Sequence, residues 1–437
     1  MVQSGPVDPW EQIRSLPMGT TVALTSADGT TWRGAIVPPH ELSGSRVIQL
    51  KLESGYNVGV RVHPHDRVEV VEPPKPNGNG APSPAVSGRD TSGPWVALLT
   101  TGGTIASRVD YRTGGVRPVK GESEILGFYP DLEKDGPVRV VPVFDRLSEE
   151  IGPDDWDEMA RRTVAVFAEG ASGVVIAHGT DTMAYTSAAL SFLLEDLPGP
   201  VVLVGAQRSP DRPSSDGFTN LAAAVRLARH PELAEVVVVM HDGLSDDKFA
   251  VHRGTRVRKM HSSRRDAFRS RNGPPIGWVE GGTVRLVHPF RTRSVGPARF
   301  AGPLGSAATV LWFHPGLEPA RAASFVAGAR GVVIAGTGLG HVSLAHLPWI
   351  REAIARGAVV AMTTQCLEGL ADPYVYATGR ELARAGVVYL GDVLPETAYT
   401  KMLWALGRSS DPSTLVELLR TPRAGEFEVR HEVEDRP

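Results

Sequence analysis

Val96-Ala97-Leu98-Leu99-Thr100-Thr101-Gly102-Gly103-Thr104-Ile105-Ala106 and Val174-Val175-Ile176-Ala177-His178-Gly179-Thr180-Asp181-Thr182-Met183 are built alike. Each begins with an apolar run short enough for a strand buried on both faces. Each run ends in glycine, which lets backbone approach a ligand closely, and then in a hydroxyl. Two hydroxyls, Thr104 and Thr180, and one carboxylate, Asp181, can therefore meet at the carboxyl ends of parallel strands. Open α/β sheets place their ligands there. The set suits acyl transfer by a threonine nucleophile.

Outward from these runs the pattern continues. Strand-like segments at Val138–Phe144, Val201–Val204 and Val236–Met240 alternate with helical patterns at Trp156–Ala168, Met183–Leu194 and Thr219–Ala228. Such alternation predicts right-handed crossovers and a mainly parallel sheet covered on both faces. Shorter units, with strands at Ala308–Phe313, Val332–Ala335 and Val359–Thr363, predict a second, smaller α/β domain. The expected division is 94–303 for the first α/β domain, carrying the active site, and 304–437 for the second.

The N-terminal segment reads differently. Thr21–Thr25, Trp32–Val37, Arg46–Leu52, Val58–Val62 and Arg67–Val71 are short strands, the first two joined across Asp28-Gly29, a hairpin signal. Residues 1–72 are expected to form a small β-barrel domain. Residues 73–93, dense in Pro, Gly, Ser and Asn, read as a semi-flexible linker.

Composition narrows the function classes. The chain has 437 residues, long enough for more than one core, with 41% hydrophobic and 22% charged residues. A net charge of -3 argues against a wholesale nucleic-acid footprint. The single cysteine, Cys366, excludes an internal disulfide and fits a reducing compartment. It is expected to be a small buried residue following a strand. The N-terminus shows no apolar signal segment, and no apolar run reaches the ~18 residues of a spanning helix. A soluble, cytoplasmic protein is expected.

Hydrolysis of a carboxamide needs a nucleophile, a base and donors for the oxyanion. Lys259, in Arg256-Val257-Arg258-Lys259-Met260-His261, is the candidate base, since a lysine held among other cations is suited to giving up its proton. Each feature also has a plain structural reading. Gly-Gly-Thr serves as a tight turn, Asp181 as a cap for the helix near Met183, and the run Arg253–Arg271 as a charged or partner-facing surface. His63-Pro64-His65-Asp66 reads as a polar turn, there being no second cluster at metal-ligand spacing. No metal site is predicted. Gly336-Thr337-Gly338-Leu339-Gly340 lacks the acidic partner of a dinucleotide fingerprint, and no Gly-x-x-x-x-Gly-Lys loop for ATP occurs.

Thr101-Gly102-Gly103-Thr104-Ile105-Ala106, His178-Gly179-Thr180-Asp181-Thr182-Met183 and Arg258-Lys259-Met260 together resemble the signature segments of the L-asparaginase/glutaminase family, over roughly residues 95–427. The resemblance implies Thr104 as nucleophile, with Thr180, Asp181 and Lys259 as a second catalytic group. It also implies Tyr111 as part of a lid and Ser148 as a substrate contact. Glu149 stands where free-standing members often carry glutamine, and a negative group there would suit an α-ammonium. Backbone N–H groups near Gly103 and Gly179 are candidate oxyanion donors. Within the family, the small β domain ahead of an asparaginase-like body resembles the D subunits of archaeal glutamyl-tRNA(Gln) amidotransferases. Gln365-Cys366 fits that branch, whereas Leu367–Pro373 departs from it. This resemblance implies ammonia release from glutamine or asparagine for a tRNA-binding partner, the E subunit, which would hold Glu-tRNA(Gln), ATP and Mg²⁺. It implies no cofactor in this chain, and a homodimeric core. The rival readings are a free-standing L-asparaginase with an appended β domain, and a non-catalytic scaffold of the same fold.

Overall fold

A computed structural model describes residues 8–38, 45–52, 57–73, 93–102, 107–109, 116–118, 132–134, 136–208 and 215–427. Thr104, Gly103 and Tyr111 lie outside the described residues.

The N-terminal part begins with a short helix, α1 (Pro9–Arg14), which the sequence patterning did not suggest. Five strands follow: β1 (Thr21–Thr25), β2 (Thr31–Val37), β3 (Val47–Leu52), β4 (Asn57–Arg61) and β5 (Arg67–Glu72). They form one antiparallel sheet in the order β4-β3-β2-β1-β5. Alternate residues such as Val22 and Leu24, or Ile48 and Leu50, point to one face and bury there with Ile13 of the helix. Asp8 caps the Trp10 amide and pairs with Arg46 at 2.6 Å, tying the helix to the start of β3. Among the described residues no pairing joins β4 to β5, so the ladder itself does not close the expected barrel. The His63–Asp66 turn is closed by the Asp66 carboxylate accepting from the His63 amide, a structural use of that carboxylate.

The first α/β domain is an eight-stranded sheet. Its parallel part comprises β6 (Trp95–Thr100), β7 (Val138–Pro142), β8 (Ala171–Ala177), β9 (Val201–Val204) and β10 (Val236–His241). Three antiparallel strands extend it: β11 (Lys248–Arg253), then β14 (Gly277–Glu280) and β15 (Thr283–Leu286). A two-stranded hairpin, β12 (Val257–Lys259) with β13 (Phe268–Ser270), intervenes. The order is β15-β14-β11-β10-β9-β8-β6-β7. The chain leaves β6 towards β7 on one side and returns to β8 on the other. Both strands that precede the threonine-bearing segments thus end at the sheet's topological switch point, where open α/β sheets bind their ligands.

The continuous apolar runs are explained by burial on both faces. Ala97, Leu99, Val174 and Ile176 face one core with helices α2 (Pro153–Ala168) and α3 (Met183–Leu193). Their neighbours Val96, Leu98, Val175 and Ala177 face the other, with α4 (Gly217–Ala228). The strands between residues 248 and 286 escape sequence reading. Four of the five are only three or four residues long, too short to show a period, and the run Arg253–Arg271 instead reads as a basic surface.

The second domain carries four parallel strands in chain order, β16 (Ala308–Trp312), β17 (Gly331–Gly336), β18 (Val359–Thr364) and β19 (Val388–Tyr389). Helices α5 (Pro319–Phe325) and α6 (Leu347–Ala355) cover one face. Helices α8 (Pro395–Leu406) and α9 (Pro412–Arg420) cover the other, with α7 (Ala377–Arg384) between β18 and β19. Helix α8 also packs on α3 of the first domain, placing Trp404 6.0 Å from Phe192 and Tyr399 6.3 Å from Tyr185. Cys366 is exposed, contrary to the expectation of burial. The strand ends at Thr364, whose hydroxyl accepts the Cys366 amide and turns the chain outward.

Gly173 tests how tightly the helix seats on the sheet. A Cβ there would come within 1.9 Å of the Ala228 carbonyl oxygen, and backbone on both sides prevents easy relief. Gly173→Ala is expected to lower the unfolding free energy by about 1–3 kcal/mol or more. Gly243→Ala, where nothing lies within 4 Å, should stay within about 0.5 kcal/mol of wild type. Paired urea melts check both values.

Candidate active site

The first turn is held against the second by the strand register. Ala177 lies beside Thr100, and the Thr101 amide and hydroxyl both donate to the Ala177 carbonyl, at 3.2 and 2.9 Å. Gly102 follows with φ +99°, and a Cβ there would lie 2.5 Å from the Arg146 carbonyl oxygen. Both facts demand glycine.

The second turn presents its polar side chains away from its own helix. Thr182 occupies the N-cap of α3 but makes no side-chain cap bond. Its hydroxyl donates instead to the Ser148 carbonyl at 2.6 Å. Asp181 does not cap the helix either. Its carboxylate accepts from Lys259 Nζ at 2.6 Å, and the same ammonium lies 2.8 Å from Thr180 Oγ1. Three of the four residues expected to share one site are therefore joined through the Lys259 ammonium. Only 12% of the Lys259 side chain is exposed, against 69% of Asp181, so the amine sits inside a cleft whose acid faces solvent. Gly205 makes room for the group, since a Cβ there would strike Thr180 Cγ2 at 2.7 Å.

Lys259 ends β12, where it pairs with Phe268 across the hairpin. Val257, Ala267 and Phe268 are buried and anchor that hairpin in the core. The surrounding cations, expected to crowd the lysine, are neutralised instead. Arg253 pairs with Glu235, Arg256 with Asp392, Arg258 with Glu396, Arg264 and Arg269 with Asp266, Arg265 with Asp246, and Arg271 with Glu368. The basic run is a set of structural pins, and among the described residues the lysine pairs with the Asp181 carboxylate.

Ser148 is buried at the start of a short 3-10 turn, Ser148–Glu150. A Cβ on Gly179 would meet Ser148 Cβ at 2.7 Å and Oγ at 2.9 Å, so glycine lets the two turns touch. Glu149 is exposed beside it. Ser148 and Gly179 are thus brought together with Thr180, whereas Thr104, Gly103 and Tyr111 are outside the described residues.

A residue that the sequence reading passed over supports this turn. His178 is fully buried, with Nδ1 2.6 Å from the Gly179 carbonyl and Nε2 3.0 Å from Thr186 Oγ1. Burial pushes its pKa from 6.5 down to about 4, against the pull of the Gly179 carbonyl. The ring is neutral near pH 7, and a carbonyl can only accept, so the proton resides on Nδ1. Thr186 then donates to Nε2 and accepts from Trp156 Nε1 at 2.9 Å. This directed chain fixes the Gly179 carbonyl. Because the peptide is planar, it also fixes the aim of the Thr180 N–H. The signal available in sequence was only a histidine beside the motif glycine.

Linkage gives the pH consequence. Between pH 4 and 6.5 the unfolded chain binds more protons at this ring than the folded one. The stabilisation is full above the unfolded value and is lost as pH falls towards 4, by on the order of 3 kcal/mol. Buried His252, pushed down to about 3 chiefly by burial, acts with the same sign. Hence the measured quantity is a difference. From pH 7 to pH 4, wild type should lose on the order of 3 kcal/mol more unfolding free energy than His178→Gln in urea titrations. Parallel pH slopes would contradict the buried neutral ring.

Known proteins share this architecture. Residues 95–291 match the family model of the asparaginase N-terminal domain, 309–419 the glutaminase/asparaginase C-terminal domain, and 16–71 the GatD N-terminal domain. The D subunit of glutamyl-tRNA(Gln) amidotransferase from Pyrococcus furiosus is 42% identical over 410 residues, 93% of each chain. That of Methanopyrus kandleri is 44% identical over 425 residues, 94% of this chain and 92% of its own. Among solved structures, the thermostable L-asparaginase of Thermococcus kodakarensis superposes with a TM-score of 0.70 at 33% identity, covering 77% of this chain and 100% of its own. L-asparaginase I of Vibrio cholerae gives 0.65 at 27% identity, covering 77% and 99%. The GatD N-terminal match separates the chain from free-standing asparaginases, and with the full-length identities it shows that this protein belongs to the family of glutamyl-tRNA(Gln) amidotransferase D subunits.

Proposed function

We propose that this chain is the amide-hydrolysing subunit of a glutamyl-tRNA(Gln) amidotransferase, releasing ammonia from glutamine or asparagine. The observation that carries the reading is the single ammonium of Lys259 bonded to both Thr180 and Asp181 at the sheet's switch point. In the proposed sequence, the Thr104 hydroxyl attacks the carboxamide carbon and gives up its proton, and the C–N bond breaks as nitrogen takes a proton. An acyl-threonine and ammonia result, and water attacks the ester to complete hydrolysis. Lys259, as the neutral amine, receives a proton by way of the Thr180 hydroxyl, and Asp181 holds the amine in line and balances it once charged. The N–H groups beside Gly103 and Gly179 are the proposed donors to the developing oxyanion. Ser148, Glu149 and Tyr111 complete the substrate pocket.

No step in this scheme uses a metal or an organic cofactor in this chain. The ammonia is consumed by the tRNA-binding partner, the E subunit, which holds Glu-tRNA(Gln), ATP and Mg²⁺ and amidates the misacylated tRNA in the cytoplasm. No helix among the described residues is long and apolar enough to cross a membrane. The pairing of the basic run 253–271 with acids leaves tRNA contact mainly to the partner. A homodimeric core is part of the proposal.

Lys259→Met, Asp181→Asn and Thr104→Val test it in the full chain assembled with its partner. Lys259→Met should lower ammonia release from glutamine by on the order of 10²–10⁴, the usual scale for a positioned acid–base group. Thr104→Val should abolish release, and Asp181→Asn should lower kcat more than it raises KM. Turnover by Thr104→Val or Lys259→Met at the wild-type rate would refute the reading. Fast release by the chain alone, with no gain from partner and Glu-tRNA(Gln), would favour a free-standing asparaginase.

A further inference from the structure

Lys259 stands at the end of a three-residue strand, and a strand so short does not set its own position. Its neighbours are held from outside. The Thr397 hydroxyl, on α8, donates to the Thr255 carbonyl at 2.8 Å, and the Thr255 hydroxyl donates to the Ala424 carbonyl at 2.9 Å. Arg256 donates from Nε to the Gly425 carbonyl at 2.7 Å and from Nη1 to Asp392 at 2.8 Å, and this ion pair is buried, at 7% and 1% exposure. Arg258 Nε lies 3.1 Å from Glu396 Oε1. The other Glu396 oxygen is buried without a hydrogen-bond partner among the described residues. A carboxylate so enclosed is tolerable only opposite a cation, so Arg258 cannot swing away without leaving it uncompensated.

Every one of these outside partners belongs to the second domain. The tail that supplies Ala424 and Gly425 is itself locked there. Lys401 and Glu426 pair at 2.6 Å with both side chains fully buried, and Glu426 also accepts from the Arg423 and Ala424 amides. Most side-chain bonds to residues 255–258 thus come from the second domain, beside the Arg256 Nη1 bond to the Asn272 carbonyl at 2.7 Å and the burial of Val257 in the first, while Lys259 itself points to the Thr180–Asp181 turn of the first.

We propose that the second domain is the positioning element for the Lys259 amine, acting through Thr397 on the Thr255 carbonyl, Asp392 on Arg256 and Glu396 on Arg258. This rests on the reading of Lys259 as the working base. None of the three second-domain residues contacts Lys259 itself, so each acts through the strand. A displaced base costs rate without costing substrate affinity.

The test uses the full chain in its amidotransferase complex, with Glu396→Gln, Thr397→Val, Thr397→Ser and Lys259→Met, and ammonia release from glutamine as readout. Rates are expressed per folded molecule from thermal unfolding of each variant. Glu396→Gln and Thr397→Val should each lower kcat roughly tenfold to a hundredfold, with KM within about twofold of wild type. Thr397→Ser keeps the hydroxyl and should restore the wild-type kcat. If one of the two variants does not fold, the other carries the measurement. Wild-type kcat per folded molecule in Glu396→Gln and Thr397→Val, beside an inactive Lys259→Met, overturns the positioning role alone. So does a loss confined to thermal stability, or a KM that rises in step with the fall in kcat. An active Lys259→Met overturns the assignment of the base instead.

Discussion

One ammonium group joins parts of the chain separated by 78 and 79 residues: Lys259 Nζ bonds to Asp181 and Thr180 of the turn after β8. The pair contributes little to stability. Asp181 is 69% exposed, and an ion pair so solvated is worth about 0–1 kcal/mol. What the contact supplies is direction, because a flexible lysine stem is held with its nitrogen beside one hydroxyl. Everything needed to keep it there is built elsewhere, from groups that are buried and therefore expensive to disturb.

The contrast between exposed and buried pairs organises the molecule. Arg256–Asp392 and Lys401–Glu426 are enclosed, and breaking one partner of such a pair typically costs about 3–5 kcal/mol. They fix backbone, the first beside the lysine strand and the second in the C-terminal tail. The histidine chain from Trp156 through Thr186 and His178 to the Gly179 carbonyl does the same for the facing turn. Rigid backbone on both sides holds the Asp181–Lys259 contact in one geometry.

A glycine on each turn records how closely the pieces approach. Gly102 meets the Arg146 backbone and Gly179 meets the Ser148 side chain, so both glycines lie against the segment that carries Arg146 and Ser148.

The α/β architecture was legible because strands buried on both faces are apolar throughout, and the run Val174–Ala177 permits no other placement next to Thr180 and Asp181. Helix limits came within a few residues for the same reason, since Met183–Leu193 and Gly217–Ala228 each bury nearly a whole face. The five N-terminal strands were legible from alternation, while α1 was not, being six residues long with only Pro9 and Ile13 buried. Most strands from Lys248 to Leu286 stayed hidden because three or four residues are too few to show a period, and the arginines among them are charged whether they face water or a buried acid. Cys366 was misplaced because a strand end says nothing about the turn that follows. The role of Lys259 was suggested by the kinds of residue around it, yet its reach to Thr180 depends on a hairpin clamped by another domain. Composition and local order thus determined most of the α/β elements and named the candidate residues. Only the tertiary structure decided that the cations near the lysine are neutralised and which carboxylate it meets, because opposite charges distant in sequence find each other only after the cores have closed.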